Sequence, residues 1–198
     1  RNLYWVGGTG SWNDSGHWSL SSGGAAGECQ PAKQDNVFFD ANSFAQSGDT
    51  VYVSPTLGVY CNNLNIAGIP SATVLKSNTG NTGIKIYGSV SMPAELDPYD
   101  ILMEMRSNST GNTILTGGNN LTGITFQGAG EWALQDPLNL FHLAGGSGVV
   151  NTNGFDINTA DVNFGGNFTL NGGTSTITTL GFYVSNGAVV LNTNNANL

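Results

Sequence analysis

The sequence predicts an all-β protein, a right-handed, three-sided parallel β-helix of about 20 residues per coil with an N-terminal Trp-rich cap. Two observations carry this prediction: short apolar triplets recur at a nearly constant spacing, and Gly and Asn separate them. The composition agrees with it, because 29 of the 198 residues are Gly and only 9% are charged. Gly, Asn and Thr are poor helix formers, so a helical protein is not expected.

Three columns of triplets in the second half of the chain predict the three faces of a coil. Each triplet alternates apolar, variable and apolar residues, as a strand with one buried face does. Successive triplets in a column are about 16 to 21 residues apart, within the period range of solenoids, and right-handed coiling follows from the crossover preference of parallel strands. The columns begin at Ile124, Phe141, Val162 and Phe182; at Trp132, Gly148, Phe168 and Ala188; and at Leu138, Phe155 and Thr176.

The corners between triplets carry Gly-Gly or Asn-Gly pairs such as Asn153-Gly154, because a corner needs the positive φ that these residues supply at little cost. Asn and Thr can form ladders between stacked coils, which accounts for their abundance. Upstream the pattern is less regular: we expect a strand at Ile101–Met105 and a turn at Asp97–Asp100. The competing fold is an antiparallel sandwich, whose strands are longer.

Two regions are predicted, a cap over residues 1–48 and a β-helix over residues 49–198. The end of a solenoid must be covered, and Trp5, Trp12 and Trp18 can plug the core there. The alternative role for these aromatic residues is a sugar-stacking platform. No C-terminal cap is evident, so we expect the natural chain to continue beyond residue 198.

Charge and cysteine content limit the classes of function that the protein can have. The net charge is −8, and five Lys and Arg residues cannot form the basic surface that nucleic-acid binding requires. No apolar run reaches the length of a membrane helix, so neither nucleic acid nor membrane insertion is expected. Cys29 and Cys61 are a candidate disulfide, because the composition indicates an extracellular protein, but both also fit as small unpaired residues.

Several sequence segments resemble a known family of bacterial proteins. They are residues 4–14 (YWVGGTGSWND), 17–19 (HWS), 35–44 (DNVFFDANSF), 61–64 (CNNL) and 130–136 (GEWALQD). Together they resemble the N-terminal modules of very large secreted surface proteins of Bacteroidetes-type bacteria, which the type IX route exports. The resemblance implies a β-helical surface module, an adhesive or structural role and a sorting domain far downstream, and it supplies no catalytic residues.

Candidate chemical sites are few. Asp14, Asp35 and Asp40 are weak calcium candidates, because calcium takes carboxylate and carbonyl oxygens; alternatively they satisfy turn amides. No other cofactor is expected. The two imidazoles, His17 and His142, are far apart in sequence and do not favour a His-based triad.

We therefore expect a non-catalytic structural or adhesive module of a secreted cell-surface protein. Its partners would be surface glycans or proteins and the secretion machinery. The alternative is a carbohydrate-binding β-helix or a carbohydrate-active one, such as a polysaccharide lyase or glycosidase. A glycosidase needs two neighbouring carboxylates, and the candidates are Glu95, Asp97, Asp100 and Glu104. A fibre segment that trimerises would share the fold.

Overall fold

The computed structural model describes residues 1–54, 58–77 and 82–193. The regular elements within these ranges are β-strands and one turn of 3-10 helix at Ser15–His17. The described residues contain no α-helix. The strands are β1 Asn2–Trp5, β2 Gly10–Ser11, β3 Trp18–Ser19, β4 Asn36–Phe39, β5 Thr50–Val53, β6 Val59–Cys61, β7 Leu64–Ile66, β8 Thr73–Ser77, β9 Thr82–Ile86, β10 Val90–Ser91, β11 Leu96–Tyr99, β12 Ile101–Met105, β13 Asn112–Leu115, β14 Asn120–Phe126, β15 Glu131–Leu134, β16 Leu138–Asn151, β17 Ile157–Asn171, β18 Ile177–Thr178 and β19 Gly181–Asn192.

The strands stack in parallel on three faces, which wind into a solenoid of about seven turns. Face I holds β1, β4, β7, β10, β13 and β15 and continues in the C-terminal parts of β16, β17 and β19. Face II holds β6, β9, β12, the end of β14, the middle of β16 and β17, and the start of β19. Face III holds β2, β5, β8 and β11, followed by the starts of β14, β16 and β17 and by β18. The predicted three-sided coil is confirmed.

The coils shorten along the chain. On face I, Val37, Leu64, Val90, Ile114 and Leu134 stack in turn, at separations of 27, 26, 24 and 20 residues. The strands themselves stay short, so the extra residues of the first coils lie in the connections. This explains why the sequence pattern upstream of residue 120 is less regular than the pattern downstream.

The predicted register is wrong at Phe141. Leu143, not Phe141, stacks between Ile124 and Val162, at equal spacings of 19 residues. Phe141 therefore lies outside the core and is 68% exposed. Aligning this triplet on apolar character alone gives the wrong register. The other predicted columns are likewise shifted by one or two residues from the observed register. In the structure Val150 stacks on Trp132, Ile157 on Leu138 and Val189 on Phe168.

The correct register is not evident from the sequence, because one inward position is occupied by a glycine. Gly145 occupies an inward position opposite Phe126. A Cβ at Gly145 would lie 2.6 Å from the ring of Phe168, so this ring fills the space that a side chain at 145 would take. A search for apolar residues at alternate positions cannot recognise an inward glycine.

The expected turn at Asp97–Asp100 is also wrong, because Leu96–Tyr99 forms β11 on face III. Leu96 and Pro98 point inward, whereas Asp97 and Tyr99 point outward. β11 is the terminal strand of a four-stranded sheet, where a proline is tolerated because its missing N–H breaks no central ladder. The turn is confined to Asp100, whose φ is +56°.

The N-terminal segment closes one end of the core. β3 pairs antiparallel with β1 and is the outermost strand of the large sheet. The carbonyl oxygen of Trp18 in β3 accepts hydrogen bonds from the N–H groups of Gly27 and Glu28, both at 3.1 Å. These bonds partly satisfy the exposed edge of β3, which would otherwise be open to pairing with another strand. Residues 1–48 also add β1, β2 and β4 to faces I and III, so their description as a separate cap stays a prediction.

Asparagine ladders join neighbouring coils, as the sequence predicts. On face I, the side-chain amide of Asn192 donates to Asn171, and that of Asn171 donates to Asn151, both at 2.6 Å. On face III, Asn158 donates to Asn139 at 3.1 Å. Each ladder repeats one residue per coil, so it satisfies polar side chains while it fixes the register.

Two glycines with the same backbone conformation allow the cost of backbone strain to be distinguished from the cost of steric crowding between coils. Gly166 and Gly173 both have a φ of +58°, but a Cβ at Gly166 would overlap the carbonyl oxygen of Gly146, whereas a Cβ at Gly173 meets nothing within 4 Å. We expect both alanine variants to carry a left-handed strain of about 1–2 kcal/mol. Gly166→Ala should lower the free energy of unfolding by about 1–3 kcal/mol more, because the coils must move apart. Urea unfolding measures both, and equal losses would contradict this stacking.

Candidate functional site

The three N-terminal tryptophans lie in the core and form no surface platform. Trp5, Trp12 and Trp18 are fully buried, and Trp18 packs edge-on against both of the others with ring centroids 5.1 Å apart. His17 stacks on Trp5 at 4.5 Å, and its Nδ1 is 2.8 Å from the carbonyl oxygen of Val6. The structure therefore places these residues as a plug.

Two of the calcium candidates are engaged within their own loops. Asp14 accepts a hydrogen bond from the Gly16 N–H at 2.8 Å, and Asp40 accepts one from the Asn42 N–H at 2.9 Å. Within residues 1–54, 58–77 and 82–193, no group of three or more His, Cys, Asp or Glu side chains comes together to hold a metal. The structure supports the turn-amide role, and calcium binding stays a prediction.

Asp35, the third candidate, is buried beside a cation. Its carboxylate accepts hydrogen bonds from the Ala32 N–H at 3.0 Å and from Arg1 Nε at 3.2 Å. Burial alone would raise the pKa of Asp35. The backbone hydrogen bond and the charge and hydrogen bond of Arg1 outweigh burial, so the pKa of Asp35 is lowered. This carboxylate therefore joins the N-terminal residue to the loop before β4.

The candidate disulfide is absent, since Cys29 and Cys61 are both unpaired. Cys29 is exposed in the loop after β3, whereas Cys61 is fully buried in β6 on face II. Burial raises the pKa of the Cys61 thiol, which makes it a small core residue of low reactivity. The spacing of two cysteines does not reveal that one of them points into the core.

The carboxylates proposed for catalysis are divided between two faces. Glu104 lies on face II and binds Arg106, whose Nε is 2.8 Å from its carboxylate. Asp97 and Asp100 line one shallow concavity at the edge of face III. The structure thus brings two of the four predicted residues to one surface and places Glu104 in an ion pair elsewhere.

The most distinctive surface surrounds Phe141, where faces III and II meet. Three concavities share this ring, and we call them together the Phe141 corner. The first has a volume of about 420 Å³, the second about 470 Å³ and the third about 290 Å³. Their other principal residues are Asp97, Tyr99, Asp100, Asn120 and Thr122 in the first, Asn139 and Asn158 in the second, and Leu102 and His142 in the third.

Aromatic and amide groups dominate the Phe141 corner. Tyr99 is 52% exposed and lines the same concavity as Phe141. Asn120, Asn139 and Asn158 occupy equivalent positions in three successive coils, so their amides form a row along the solenoid axis with a spacing of about 4.8 Å. Two adjoining sheets therefore present the two rings beside a line of donors and acceptors: Tyr99 belongs to the four-stranded sheet, and Phe141 and the asparagine row belong to the large sheet.

An imidazole–carboxylate pair lies on the face II side of the corner. His142 Nδ1 is 2.6 Å from Asp161 Oδ1, and both side chains are about one-third exposed. His142 and Leu102 close over Gly123, where a Cβ would lie 2.7 Å from the His142 carbonyl oxygen. The pair fixes the imidazole against the sheet beside Phe141.

The sequence pattern did not predict this site, because the triplet spacing places Phe141 in the core. Nothing in the pattern pairs Asp161 with His142. One signal was available: aligning Leu143 with Ile124 gives spacings of 19, 19 and 20 residues, more even than those obtained with Phe141.

Comparison with known protein families, curated proteins and solved structures finds no match to this chain. The resemblance to secreted Bacteroidetes-type surface modules therefore stays a prediction. In the part of the chain that the structure describes, none of the helical residues forms a segment long and apolar enough to span a membrane.

Asp35→Asn is expected to lower the free energy of unfolding by about 1–3 kcal/mol at pH 7, because a buried charged hydrogen bond is lost. The folded pKa of Asp35 lies below its unfolded value. Its stabilisation is therefore complete above a pH of about 4 and is lost as the pH falls through the folded pKa. Urea titrations at several pH values should show the two proteins converging in acid.

Asp14→Asn is the matched control, because Asn can accept the same Gly16 hydrogen bond. We expect this variant to follow the wild type at every pH. A stability deficit in Asp35→Asn that stays constant down to pH 2 would contradict the role assigned to the Arg1 contact.

Proposed function

We propose that this chain is a non-catalytic structural and adhesive module of a secreted cell-surface protein. The observation that carries the proposal is one continuous apolar core, which runs through all the coils from Leu3 to Ile177. Parallel backbone ladders join successive coils on three sides, interrupted on face III between β11 and β14, so bending or extending the solenoid would break many hydrogen bonds together. Such a body suits a stalk that holds a binding surface at a distance from the cell.

The Phe141 corner supports the adhesive part of the proposal. A large ring that is 68% exposed on a rigid sheet can contact a partner without ordering a flexible loop first. The partners we propose are glycans or proteins of other surfaces, with the secretion machinery acting during export. The low charged content of 9% and the net charge of −8 are compatible with an extracellular setting.

Carbohydrate recognition is the second candidate function, and a specific observation favours it. Tyr99 and Phe141 line one concavity with Asp97 and Asp100, a combination of rings and carboxylates that suits sugars. A carbohydrate-active enzyme would use the two carboxylates as an acid and a base. A binding module would need only the rings and polar groups.

Adhesion and catalysis can be separated in one experiment. Beads coated with the folded chain should be retained on at least one of several surfaces (mucin, cellulose, chitin or collagen), whereas beads carrying urea-unfolded chain should wash off. The soluble protein, incubated with the same polysaccharides and with polygalacturonate, should release no reducing ends or unsaturated uronate.

Two outcomes would contradict the proposed function. The first is equal retention of folded and unfolded chain on every surface. The second is product release that Asp97→Asn/Asp100→Asn abolishes, which would establish a carbohydrate-active enzyme at this concavity.

A further inference from the structure

We propose that the Phe141 corner binds a neutral oligosaccharide that lies along the solenoid axis. Sugar rings would stack on Phe141 and Tyr99, and their hydroxyl groups would bond to the row of asparagine amides. This inference rests on the proposed adhesive function and deepens it, because it names the chemical class of the ligand and the surface that takes it.

Stacking is the first step. Phe141 has no polar atom, yet 68% of it faces solvent, so covering its ring with the C–H face of a sugar removes apolar area from water. Tyr99 presents a second ring in the same concavity. β12, which begins two residues after Tyr99, pairs with β14, and β14 pairs with β16, which contains Phe141, so the two rings are separated by two coil spacings, or about 10 Å along the axis. A single sugar cannot cover both rings, but an oligosaccharide can.

Hydrogen bonding is the second step. Asn120, Asn139 and Asn158 repeat once per coil along the solenoid axis, and all three line one concavity that contains Phe141. An asparagine amide offers two donor hydrogens and one acceptor oxygen. Asn158 uses one donor in the ladder bond to Asn139, and Asn139 uses one donor in its 3.5 Å bond to the Gly118 carbonyl oxygen. Each of these two amides keeps a second donor that can bond to the hydroxyls of a glycan.

Charge is the third step and selects a neutral ligand. Asp97 and Asp100 line the same concavity as the rings and outnumber Lys76, whose Nζ lies 5.0 Å from the centroid of the Tyr99 ring. Asp161 lies next to His142. A uronate or a sulfated sugar would meet like charge there, on a chain whose net charge is already −8. A basic peptide would suit the carboxylates, but it would not use a row of amides spaced at one per coil. The neutral glycan uses both features.

Isothermal titration calorimetry with cellohexaose, mannohexaose and chitohexaose tests the inference. At least one of these neutral hexasaccharides should bind the wild type, and Phe141→Ala should weaken that binding about tenfold. Phe141→Trp should retain binding, because it keeps a ring at this position. Urea unfolding should be unchanged in Phe141→Ala, since the removed ring packs outside the core.

Tyr183→Ala is the matched control, because Tyr183 is 62% exposed on β19 and lines none of the three concavities. This variant should bind the hexasaccharide as the wild type does. Asp97→Asn/Asp100→Asn tests the charge step: it should gain affinity for a hexagalacturonate that the wild type rejects.

Three results would overturn the inference: no neutral hexasaccharide binds the wild type, Phe141→Ala binds as tightly as the wild type, or a lysine-rich peptide binds instead and loses affinity in Asp97→Asn/Asp100→Asn. The proposed function is judged separately by bead retention. Beads coated with Phe141→Ala that are still retained would locate adhesion on another surface, whereas loss of retention by the wild type itself would remove the adhesive function.

Discussion

The parallel backbone ladder between successive coils is the constraint on which the whole structure depends. It fixes the spacing of coils at about 4.8 Å, so each inward side chain must pack against the residues directly above and below it. Gly145 shows the consequence, because the ring of Phe168 fills the space that this glycine leaves. The core is therefore packed by side chains of neighbouring coils together. Whether a given residue fits at an inward position depends on the residues directly above and below it.

The same constraint explains where function can lie. Inward positions belong to the core, and several outward positions on faces I and III form amide ladders. A corner residue belongs to neither set, so Phe141 can expose its ring without disturbing the stack. The backbone ladder holds Asn120, Asn139 and Asn158 in one row, and the amide of Asn158 also donates to Asn139, so these polar groups are positioned beside the ring before any ligand binds.

Period-two alternation and the recurrence of triplets were enough to predict the three-sided coil, and the Trp-rich opening predicted the buried plug. The register could not be read at Phe141, because an outward apolar residue and an inward one look alike in sequence. Asp97–Asp100 looked like a turn because Pro98 rarely lies in a strand, although an edge position tolerates it. The candidate site depends on both misread segments, which is why only the structure revealed it.

Disulfide trapping across neighbouring coils tests the register most directly. Thr125 and Ala144 are partners on face II, so Thr125→Cys/Ala144→Cys should oxidise readily, given a separation of about 4.8 Å between their Cα atoms. The background would carry Cys29→Ser, while the buried Cys61 can remain. Thr125→Cys/His142→Cys should form no cross-link, because its two positions are two residues out of register. Efficient cross-linking of that second pair instead would place Phe141 in the core and contradict the observed register.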